Sequence, residues 1–573
     1  MTDINVVIAG AAGQGVLGAS TTLGKLLLRS GFHVHANHDA QSRIRGGHNF
    51  SCIRFADRPL AAGVRRIDYL LALNNESVRL HLDDLLAEGT VFCVEGVEGE
   101  IKDGRLKVLP RNVGPEEAEK PRFHGIKMLA MLAGRLGLSR QILAEVVKEL
   151  LGRAKGENIV ALNQQAIDDV FSYMHQDDRR PVALPAGAAS SRMLVSGHEA
   201  VALGMIAAGL GVYSGYPMSP STAIMNLLAA NGPALGIAVE MAEDEIAAAN
   251  IAVGASYAGV RAATGTSGAG ISLMAETIGM AGITETPLVI VNGQRSGPST
   301  GMATRTEQSD LLFVVHLSQG EFPRAVLAPT GPEDAFYLTV DSFNLAEQWQ
   351  VPVFIMTDHN LADSQATLAE YELSRLAIDR GPMAPEPADP AVVRELERYR
   401  PTPSGVSPRA FPVVSNWLVV QDSHEHDIKG RVTDNRENRV RQMDKRMRKL
   451  AGLAASFPGP EVIHPEAETL LLCWGSTVGP VLEGLEILRD RGHDVGGAVF
   501  RHLYPMNREK VRAALGEKKR LLTVEANYTG QLGKLLLLET GLATRGHIAK
   551  YDGRLFTVED VLDRVAGFLE EQV

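Results

Sequence analysis

Short apolar runs alternate with helical patterns along most of the chain, and this alternation limits the fold more than any other feature. The first apolar run, residues 6–9, breaks at glycines and passes into a helical pattern that includes Leu23 and Leu27. Such alternation is typical of parallel strands joined by crossover helices. The sequence therefore predicts an α/β chain built on parallel sheets.

The alternation falls into three blocks, and 573 residues are enough for several separate cores. We predict α/β domains over residues 1–180, 193–380 and 466–573. The stretch 185–191, rich in small residues, predicts a linker between the first two domains. The segment 381–465, whose first part is rich in proline, predicts a connector that carries a basic amphipathic helix.

Individual elements can also be placed from the pattern. In the middle block, apolar runs predict strands over residues 236–240, 259–264 and 287–291. In the last block, helical spacing predicts a helix over residues 508–515.

Charge and cysteine content exclude several classes of protein. The chain has 57 Lys and Arg against 68 Asp and Glu, and its net charge of −11 argues against nucleic acid as the main partner. Its three cysteines, Cys52, Cys93 and Cys473, are widely separated. They form no disulfide framework, and they are too few for an iron–sulfur cluster, which usually needs about four thiolates.

No segment predicts secretion or membrane insertion. The amino terminus carries Asp3 and lacks the basic region of a signal peptide. The longest uncharged stretch, residues 200–239, is interrupted by prolines before any part of it reaches the roughly 18 apolar residues of a membrane span. We expect a cytoplasmic protein that does not contact membranes.

A glycine-rich turn follows the first predicted strand, with Gly13, Gly15 and Gly18 spaced as G-x-G-x-x-G. Glycines in such a turn let the backbone approach a phosphate, and the following helix supplies free N–H groups. Three interpretations remain open: a nucleotide or anion site, an NAD site with Asp39 as the ribose-binding acid, and tight packing of strand against helix.

Basic residues concentrate in two other segments. The turn 42–48 carries Arg43 and Arg45 beside two glycines, which suits either a phosphate or carboxylate site or a basic loop at a domain interface. Residues 427–450 hold nine basic and four acidic side chains, with Val440 among apolar residues at helical spacing. This pattern favours a basic helix face that is solvated or docks on an acidic partner, over a nucleic-acid site.

Two histidine clusters raise the question of a metal. His33 and His35 are spaced to share one face of a strand, as are His424 and His426. Neither cluster offers a third ligand at helical spacing. Solvated or hydrogen-bonded histidines are therefore favoured, and we predict no metal ligands on this chain.

The middle block contains a segment suited to binding a carboxylate. After a short apolar run, Tyr216 begins a Tyr-Pro-Met-Ser-Pro-Ser-Thr sequence in which two prolines fix φ. The hydroxyls of Ser219, Ser221 and Thr222 lie where a helix is expected to start. We interpret the segment as a preformed cup for an oxyanion or carboxylate, with an ordinary helix cap as the alternative.

Two charged positions in the same block complete a candidate site. The acids Glu243 to Glu245 open a helix that is too apolar to be exposed, so at least one of them is expected to be partly buried and able to share a proton with a ring nitrogen. Arg295 follows a predicted strand and is placed to bind a carboxylate bidentately. Two alternatives remain. Arg295 could form a surface salt bridge, or Gln294 could occupy the position that we assign to Arg295.

These segments together resemble the 2-oxoacid:ferredoxin oxidoreductases, specifically the alpha subunit with a gamma domain fused at its amino terminus, and most of all the 2-oxoglutarate type. The resemblance covers nearly the whole chain, and Ser219 stands where the family signature has Thr. The segments that carry it are residues 10–18, 45–47, 216–221, 297–301, 307–308, 407–409, 422–427, 503–505, 524–527 and 530–532.

The resemblance implies what each domain does. Residues 1–180 would be a gamma-type Rossmann-like domain, 193–380 a thiamine diphosphate pyrimidine-binding domain, and 466–573 a transketolase carboxy-terminal-like domain. A separate beta subunit would carry the diphosphate-binding domain with Mg²⁺ and a [4Fe–4S] cluster. The complex, as a dimer of alpha–beta heterodimers, would exchange electrons with ferredoxin and use CoA as co-substrate.

The resemblance also implies roles for individual residues. Glu245 would be the catalytic residue, because it would hydrogen-bond the aminopyrimidine ring of thiamine diphosphate. The substrate would be bound by Tyr216, Ser219, Ser221, Thr222 and Arg295. CoA or a nucleotide would face Gly13, Gly15 and Gly18.

The implied reaction is the CoA-dependent oxidative decarboxylation of a 2-oxoacid, or the reverse reductive carboxylation that fixes CO2. The fused layout favours 2-oxoglutarate and succinyl-CoA, the chemistry of the tricarboxylic acid cycle, and leaves pyruvate, branched-chain and aryl oxoacids open. Two rival functions remain. One is an NAD-dependent oxidoreductase built on the turn 13–18, and the other is a non-catalytic scaffold or regulatory subunit in which Glu245 only caps a helix.

Overall fold

The computed structural model describes residues 2–41, 46–97, 104–185, 191–387, 393–412, 414–516 and 520–570. The chain forms two compact units, one comprising Met1–Ser196, Asp363–Glu370 and Thr557–Asp560, the other comprising Gly197–Ala362, Tyr371–Phe556 and Val561–Val573. Sheets of eight, seven and five strands, each containing parallel pairs, confirm the predicted α/β class.

The first unit is built on the eight-stranded sheet, in the order β6-β5-β4-β1-β3-β2-β14-β7. Numbered along the chain, its strands are β1 (Asp3–Ala12), β2 (His33–Asp39), β3 (Gly46–Ala56), β4 (Ile67–Ala72), β5 (Leu85–Val94), β6 (Leu106–Leu109), β7 (Arg192–Ser196) and β14 (Gln365–Ala369). Its helices are α1 (Val16–Arg29), α2 (Asn75–His81), α3 (His124–Leu136), α4 (Arg140–Lys155) and α5 (Glu157–Tyr173). Strands β7 and β14 join this sheet, although most of their residues fall within the 193–380 segment of the sequence-based division.

Helices cover both faces of this sheet because side chains alternate along each strand. Val6 and Ile8 of β1 pack in the cluster that includes Leu23 and Leu27 of α1. Val7 points the other way and packs in the cluster that includes Val78 of α2. Helices α1 and α2, which follow the neighbouring parallel strands β1 and β4, therefore lie on opposite faces of the sheet.

The second unit contains the seven-stranded sheet, in the order β20-β12-β13-β11-β10-β8-β9. Its strands are β8 (Val212–Gly215), β9 (Ala238–Met241), β10 (Ala262–Thr266), β11 (Leu288–Gln294), β12 (Ala325–Leu327), β13 (Pro352–Asp358) and β20 (His502–Tyr504). The accompanying helices are α6 (Gly197–Ala207), α7 (Thr222–Leu235), α8 (Glu245–Tyr257), α9 (Gly268–Ile283), α10 (Leu311–Val315), α11 (Pro332–Trp349) and α12 (His359–Asp363). All strand pairs in this sheet are parallel except β12 with β20.

The five-stranded sheet of the last block has the order β17-β19-β18-β21-β22. The remaining strands are β15 (Arg394–Glu395), β16 (Trp417–Leu418), β17 (Glu461–Ile463), β18 (Thr469–Trp474), β19 (Val495–Phe500), β21 (Arg520–Glu525) and β22 (Gly546–Ala549). The remaining helices are α13 (Arg436–Ser456), α14 (Val478–Asp490), α15 (Arg508–Leu515), α16 (Gln531–Thr540) and α17 (Val558–Glu570). Short 3₁₀ helices lie at Glu116–Glu119, Pro121–Phe123, Gln176–Asp178, Leu373–Arg375 and Gly475–Thr477.

One buried amide joins the seven- and five-stranded sheets. The side chain of Gln308 donates to the carbonyl of Trp474 at 2.8 Å and accepts from the N–H of Ala526 at 2.9 Å. The carbonyl of Gln308 also accepts from the Asn527 side chain at 3.0 Å. Gln308 therefore fixes the loop after β11 against the carboxyl ends of β18 and β21.

The basic helix forms as α13, but the expectation that its basic face is solvated is wrong for three residues. Lys445, Arg446 and Lys449 are buried, whereas the apolar Val440 is 59% exposed. Charged side chains become buried when they are paired, and both lysines contact the buried carboxylate of Glu285. These three basic side chains thus pack inside the second unit, whereas Arg436, Arg441 and Arg448 of the same helix are exposed.

The two histidines of the second cluster each make a hydrogen bond within the fold. His424 is exposed and bonded to Asp422, and His426 is buried with its Nδ1 2.9 Å from the carbonyl of His424. Within the part of the chain that the structure describes, no three His, Cys, Asp or Glu side chains lie together as metal ligands would. Across the same residues, no helix is both long enough and apolar enough to cross a membrane.

Candidate active site

Four parallel strands end at one edge of the seven-stranded sheet, in the order β9, β8, β10, β11. The carboxyl ends of parallel strands lie at the same edge, so the segments that follow them are brought together. These segments begin at Ala242, Tyr216, Ser267 and Arg295. The predicted site segments, distant in the sequence, therefore meet at one sheet edge.

Glu245 is the first residue of α8, and its side chain is 3% exposed. The neighbouring Asp244 caps the helix, since its carboxylate accepts from the N–H of Ala247 at 2.8 Å. Glu245 is thus left free of the capping role to which the scaffold hypothesis assigns it. Its Oε1 lies 3.5 Å from the hydroxyl of Thr266, at the end of β10.

Two glycines in the first turn of α9 allow close packing of the helix against neighbouring side chains. A Cβ at Gly270 would lie 2.0 Å from the Thr266 hydroxyl and 2.7 Å from Cγ of Glu245. A Cβ at Gly268 would lie 2.4 Å from the carboxylate of Asp310. The two glycines let α9 begin directly against the buried carboxylate.

The Tyr-Pro-Met-Ser-Pro-Ser-Thr segment lies against the same place. The sulfur of Met218 is 2.6 Å from the Ser267 hydroxyl and 3.8 Å from that of Thr266. Tyr216 and Ser219 are exposed, and Thr222 is half-buried as the first residue of α7. Accessible side chains of this segment therefore surround the entrance to the site.

Ser221 has a different position from the one expected. It is 1% exposed, and its hydroxyl donates to the carbonyl of Met218 at 2.8 Å, so it holds the turn. The N–H of Thr222 donates to the same carbonyl at 3.2 Å. The side chain of Ser221, the residue that precedes α7, does not cap that helix. The helix-cap alternative therefore does not account for these hydroxyls.

Arg295 lies between this segment and Glu245. Its Nη1 donates to the carbonyl of Ser219 at 3.1 Å, and its Nε is buried without a hydrogen-bond partner among the described residues. Burial lowers the pKa of Arg295, while the negative charge of Glu245 acts to raise it. Arg295 thus retains a free donor beside the buried carboxylate.

The alternative that Gln294 takes this position does not hold. Gln294 is fully buried; its amide nitrogen donates to the carbonyl of Thr357 at 3.0 Å, and its oxygen accepts from the N–H of Asp310 at 3.1 Å. Both ends of its side chain are therefore bound within the fold.

Sequence reasoning missed a residue beneath the Tyr216–Thr222 segment. His198, in α6, is fully buried, with Nδ1 3.0 Å from the carbonyl of Pro220 and Nε2 2.9 Å from the hydroxyl of Thr357. His198 thus fixes the carbonyl of Pro220, while Arg295 fixes the carbonyl of Ser219. Nothing in the local sequence signals this contact, since the partners are 22 and 159 residues away.

Asp310 is a second residue that was missed. Its Oδ2 accepts from the Asn292 side chain at 3.1 Å, and burial raises the pKa of its carboxyl group. It supports the start of α9 from the side opposite Glu245. The acid-containing run after the predicted strand 287–291 was the signal that could have drawn attention to it.

Several large apolar side chains near Glu245 are exposed, alongside the exposed acid Glu243. Ile246 is 46% exposed at the start of α8, and Met241, Ile251 and Leu273 are exposed on β9, α8 and α9. Large apolar side chains grouped around a functional residue are typical of a surface that another protein covers.

In the first unit, the glycine turn joins β1 to α1. Gly13 and Gly15 have φ of 91° and 86°, a region that favours glycine. Cβ atoms at Gly13, Gly15 and Gly18 would have no atom within 4 Å, so the packing alternative is wrong for all three. No side chain of the described residues caps α1 at Gly15, and the turn therefore presents the helix amino terminus.

The NAD alternative fails on topology. A dinucleotide-binding fold places the acid at the end of the strand adjacent to β1. Here β1 pairs with β3 and β4, and β3 separates it from β2, at whose end Asp39 lies. Asp39 is therefore two strands away from the position that an NAD ribose requires.

Residues 42–45 of the basic turn, which include Arg43 and Arg45, lie outside the described residues. The register pairs Ala12 with Gly46 and Ala11 with His48, so β3 begins at the same edge as the glycine turn. Because α1 and α2 lie on opposite faces, this edge is a topological switch point, where α/β proteins commonly bind ligands.

Comparison with known families assigns the part of the chain that carries this sheet edge to a thiamine diphosphate-binding class. Residues 203–445 match the family model described as Pyruvate flavodoxin/ferredoxin oxidoreductase, thiamine diP-bdg. Residues 5–173 match Pyruvate ferredoxin/flavodoxin oxidoreductase, and 467–561 match Pyruvate:ferredoxin oxidoreductase core domain II.

Relatives match over almost the full length. The chain is 31% identical to 2-oxoacid:ferredoxin oxidoreductase 2, subunit alpha, of Aeropyrum pernix, over 100% of this chain and 99% of that protein. It is 29% identical to 2-oxoglutarate oxidoreductase subunit KorA of Mycobacterium tuberculosis, over 93% of this chain and 87% of that protein. The 2-oxoglutarate:ferredoxin oxidoreductase of Magnetococcus marinus, solved with 2-oxoglutarate, coenzyme A and succinyl-CoA bound, superimposes with a TM-score of 0.89 at 29% identity, over 99% of both chains.

This chain belongs to the alpha subunits of the 2-oxoacid:ferredoxin oxidoreductases. The predicted family and enzyme class are confirmed. The residues present fit thiamine diphosphate, because Glu245 offers a buried carboxylate that does not cap its own helix. The absence of a Cβ at Gly270 also lets the start of α9 pack directly against the Glu245 side chain.

We predict that Gly270→Ala weakens thiamine diphosphate binding by about 10-fold or more, because the added methyl group displaces Thr266 and Glu245. Binding is measured by titrating the apo complex with thiamine diphosphate. Gly331→Ala is the matched control, since a Cβ there meets no atom within 4 Å. Equal affinities for the two variants would contradict the proposed position of the cofactor.

Proposed function

We propose that this chain supplies the pyrimidine-binding half of the active site of a 2-oxoglutarate:ferredoxin oxidoreductase. The observation that carries the proposal is the arrangement of Arg295, with its free buried Nε, between the Ser219 turn and the buried carboxylate of Glu245. A cation and a carboxylate separated in this way suit a substrate carboxylate on one side and a cofactor ring nitrogen on the other.

Glu245 holds a proton between its carboxylate and the cofactor ring. Thiamine diphosphate, when bound, supplies the nucleophile and the electron sink for decarboxylation of a 2-oxoacid. The burial of Glu245 strengthens a hydrogen bond to a ring nitrogen, because water does not compete for the carboxylate. Thr266 orients that carboxylate through its hydroxyl.

Arg295 and Ser219 orient the substrate. The free Nε of Arg295 offers a charge-assisted hydrogen bond to the carboxylate next to the oxo group. Arg295 and His198 fix the position of the exposed Ser219 hydroxyl. Arg295 donates to the carbonyl of Ser219, and His198 contacts the carbonyl of Pro220. Ser221 supports this turn from within.

The exposed apolar side chains near Glu245 are the proposed contact with the beta subunit, which would carry Mg²⁺, the diphosphate-binding domain and the [4Fe–4S] cluster. The cysteines of this chain do not suit such a cluster. Cys93 and Cys473 are buried, and Cys52 is far from both in the sequence. The proposed complex is a cytoplasmic dimer of alpha–beta heterodimers that exchanges electrons with ferredoxin.

The glycine turn of the first unit is the proposed contact with CoA. The free amino terminus of α1 suits an anionic phosphate. The turn borders a cavity of about 670 Å³ lined by Gly15, Gly18 and Leu17 together with residues of α3, α4 and α5. This volume lies in the range of small-molecule sites, roughly 300–1,000 Å³.

The choice of 2-oxoglutarate rests on the M. marinus and M. tuberculosis proteins, whose printed names include that substrate. With it, the proposed reaction forms succinyl-CoA and CO2, and the reverse direction fixes CO2. Pyruvate, branched-chain and aryl oxoacids are the alternative substrates of the same site.

For Glu245→Gln we expect a fall of roughly 100-fold or more in oxoacid-dependent reduction of ferredoxin by the alpha–beta complex, because an amide cannot share a proton with the ring nitrogen as a carboxyl group does. Initial rates are measured anaerobically at saturating thiamine diphosphate. Glu243→Gln, an exposed acid two residues earlier, is the control. A Glu245→Gln rate within two-fold of wild type would favour the scaffold hypothesis.

Arg295→Lys is expected to raise the KM for the oxoacid by about 10-fold, since the charge remains but the planar fork is lost. The exposed Arg375→Lys is the control. Both are tested with 2-oxoglutarate, pyruvate, 2-oxoisovalerate and phenylpyruvate. A kcat/KM of wild type that is highest for one of the other oxoacids would overturn the choice of 2-oxoglutarate while leaving the half-site intact.

Gly18→Val tests the CoA contact. A Cβ at position 18 meets no atom within 4 Å, so the melting temperature should stay within about 2 °C, while the KM for CoA should rise by about 10-fold. Gly104→Val, also surrounded by open space, is the control. An unchanged KM for CoA would place the nucleotide elsewhere.

A further inference from the structure

The second unit buries more positive than negative charge around two glutamates. Glu285 is 1% exposed and contacts Lys445 and Lys449, neither of which is exposed. Arg398 also acts on this carboxylate and donates to the carbonyl of Glu285 at 2.8 Å. Three cations thus share one carboxylate.

The second glutamate, Glu347, repeats the imbalance. Its carboxylate pairs with Arg261 at 2.8 Å, Arg380 at 2.7 Å and Arg409 at 3.2 Å. Arg380 is half-buried, and the other two arginine side chains are at most 5% exposed. The positive charges of Arg398 and Arg409 act on each other, so the residues around Glu285 and those around Glu347 form one electrostatic cluster.

The carboxylates do not fully compensate these cations. Burial lowers the pKa of Lys449 to about 7 and that of Arg409 to about 10, against the attraction of the paired glutamates. An uncompensated buried charge is costly, and proteins neutralise it by deprotonation or by a counter-ion. The cluster therefore favours the uptake of negative charge.

A small cavity lies between the two groups. It has a volume of about 20 Å³, and its wall includes Arg398, Arg409, Thr286 and Gln421. Arg398 Nη1 and Arg409 Nε are buried without a hydrogen-bond partner among the described residues. The two arginines are 5% and 4% exposed.

We propose that this cavity binds one small monovalent anion of the size of chloride, held by Arg398 Nη1 and Arg409 Nε. The volume suits a single water-sized occupant and excludes phosphate and oxoacids. Glu285, also in the wall, has its carboxylate bound by Lys445 and Lys449.

Two neighbouring features do not change this assignment. Gln421 donates to the Thr286 hydroxyl at 2.6 Å, so these polar groups satisfy each other. The cavity lies beyond the carboxyl end of α9, whose dipole contributes about half a negative charge. That contribution is smaller than the surplus of the six cations over two carboxylates.

The anion site is tested on the full alpha–beta complex, by thermal unfolding at constant sodium concentration while gluconate is replaced by chloride or bromide. Gluconate is too large for the cavity, so we expect chloride and bromide each to raise the melting temperature by about 2 °C at 100 mM. A melting temperature that is the same in all three salts would overturn the proposal.

Variants locate the effect. Arg398→Met should abolish the difference between chloride and gluconate, because one of the two donors is lost. Arg448→Met is the control, since Arg448 is exposed on the same helix as Lys445 and Lys449 and donates only to the carbonyl of Thr402 among the hydrogen bonds found. A chloride response that persists in Arg398→Met would overturn the site.

A measurement on the wild-type complex keeps the proposal testable if Arg398→Met fails to fold. Crystals grown or soaked in bromide should give an anomalous peak between Arg398 and Arg409. Density of a water molecule there, without anomalous signal, would show that the cavity is a hydration site and would refute anion binding.

Discussion

The candidate active site depends on the parallel alignment of β9, β8, β10 and β11. Because these strands run in one direction, the segments that carry Glu245, Ser219, Thr266 and Arg295 all emerge at one edge of the sheet. Small residues then let the helices begin close to that edge, as Gly268 and Gly270 do beside Glu245. The sheet thus brings a carboxylate, a cation and hydroxyls together from four separate places in the sequence.

Burial gives each of these groups its chemical character. Asp244 caps α8, so the buried Glu245 is available for a ligand. Arg295 is held by a backbone carbonyl and keeps a free donor. The same principle acts in the basic helix α13, where buried lysines surround Glu285 and make the interior of the second unit locally positive. In both places the fold sets the charge environment by choosing which polar groups lose water.

Much of the architecture could be predicted from the sequence, because local patterns decide it. The helix expected over 508–515 is α15, and the strand expected over 287–291 lies within or next to β11. The site hypothesis rests on positions where motif and chemistry agree, as at Glu245, and its residue roles stay predictions. His198 and Asp310 were missed because their roles depend on contacts with residues remote in the chain. The error at α13 has a related cause, since helical spacing shows that a helix has a basic face but not which acidic residues pack against it.

The sequence by itself determined the α/β class and the family, and it predicted the chemistry of the half-site, because periodicity and motifs are local properties that survive without a structure. Only the tertiary structure decided between rival readings of the same residues. Strand order separated Asp39 from β1, side-chain contacts bound Gln294 and left Arg295 a free donor, and open space around Gly18 removed the packing explanation. These outcomes depend on which distant segments become neighbours in the fold. The pairing of strands decides this, and the local sequence pattern does not.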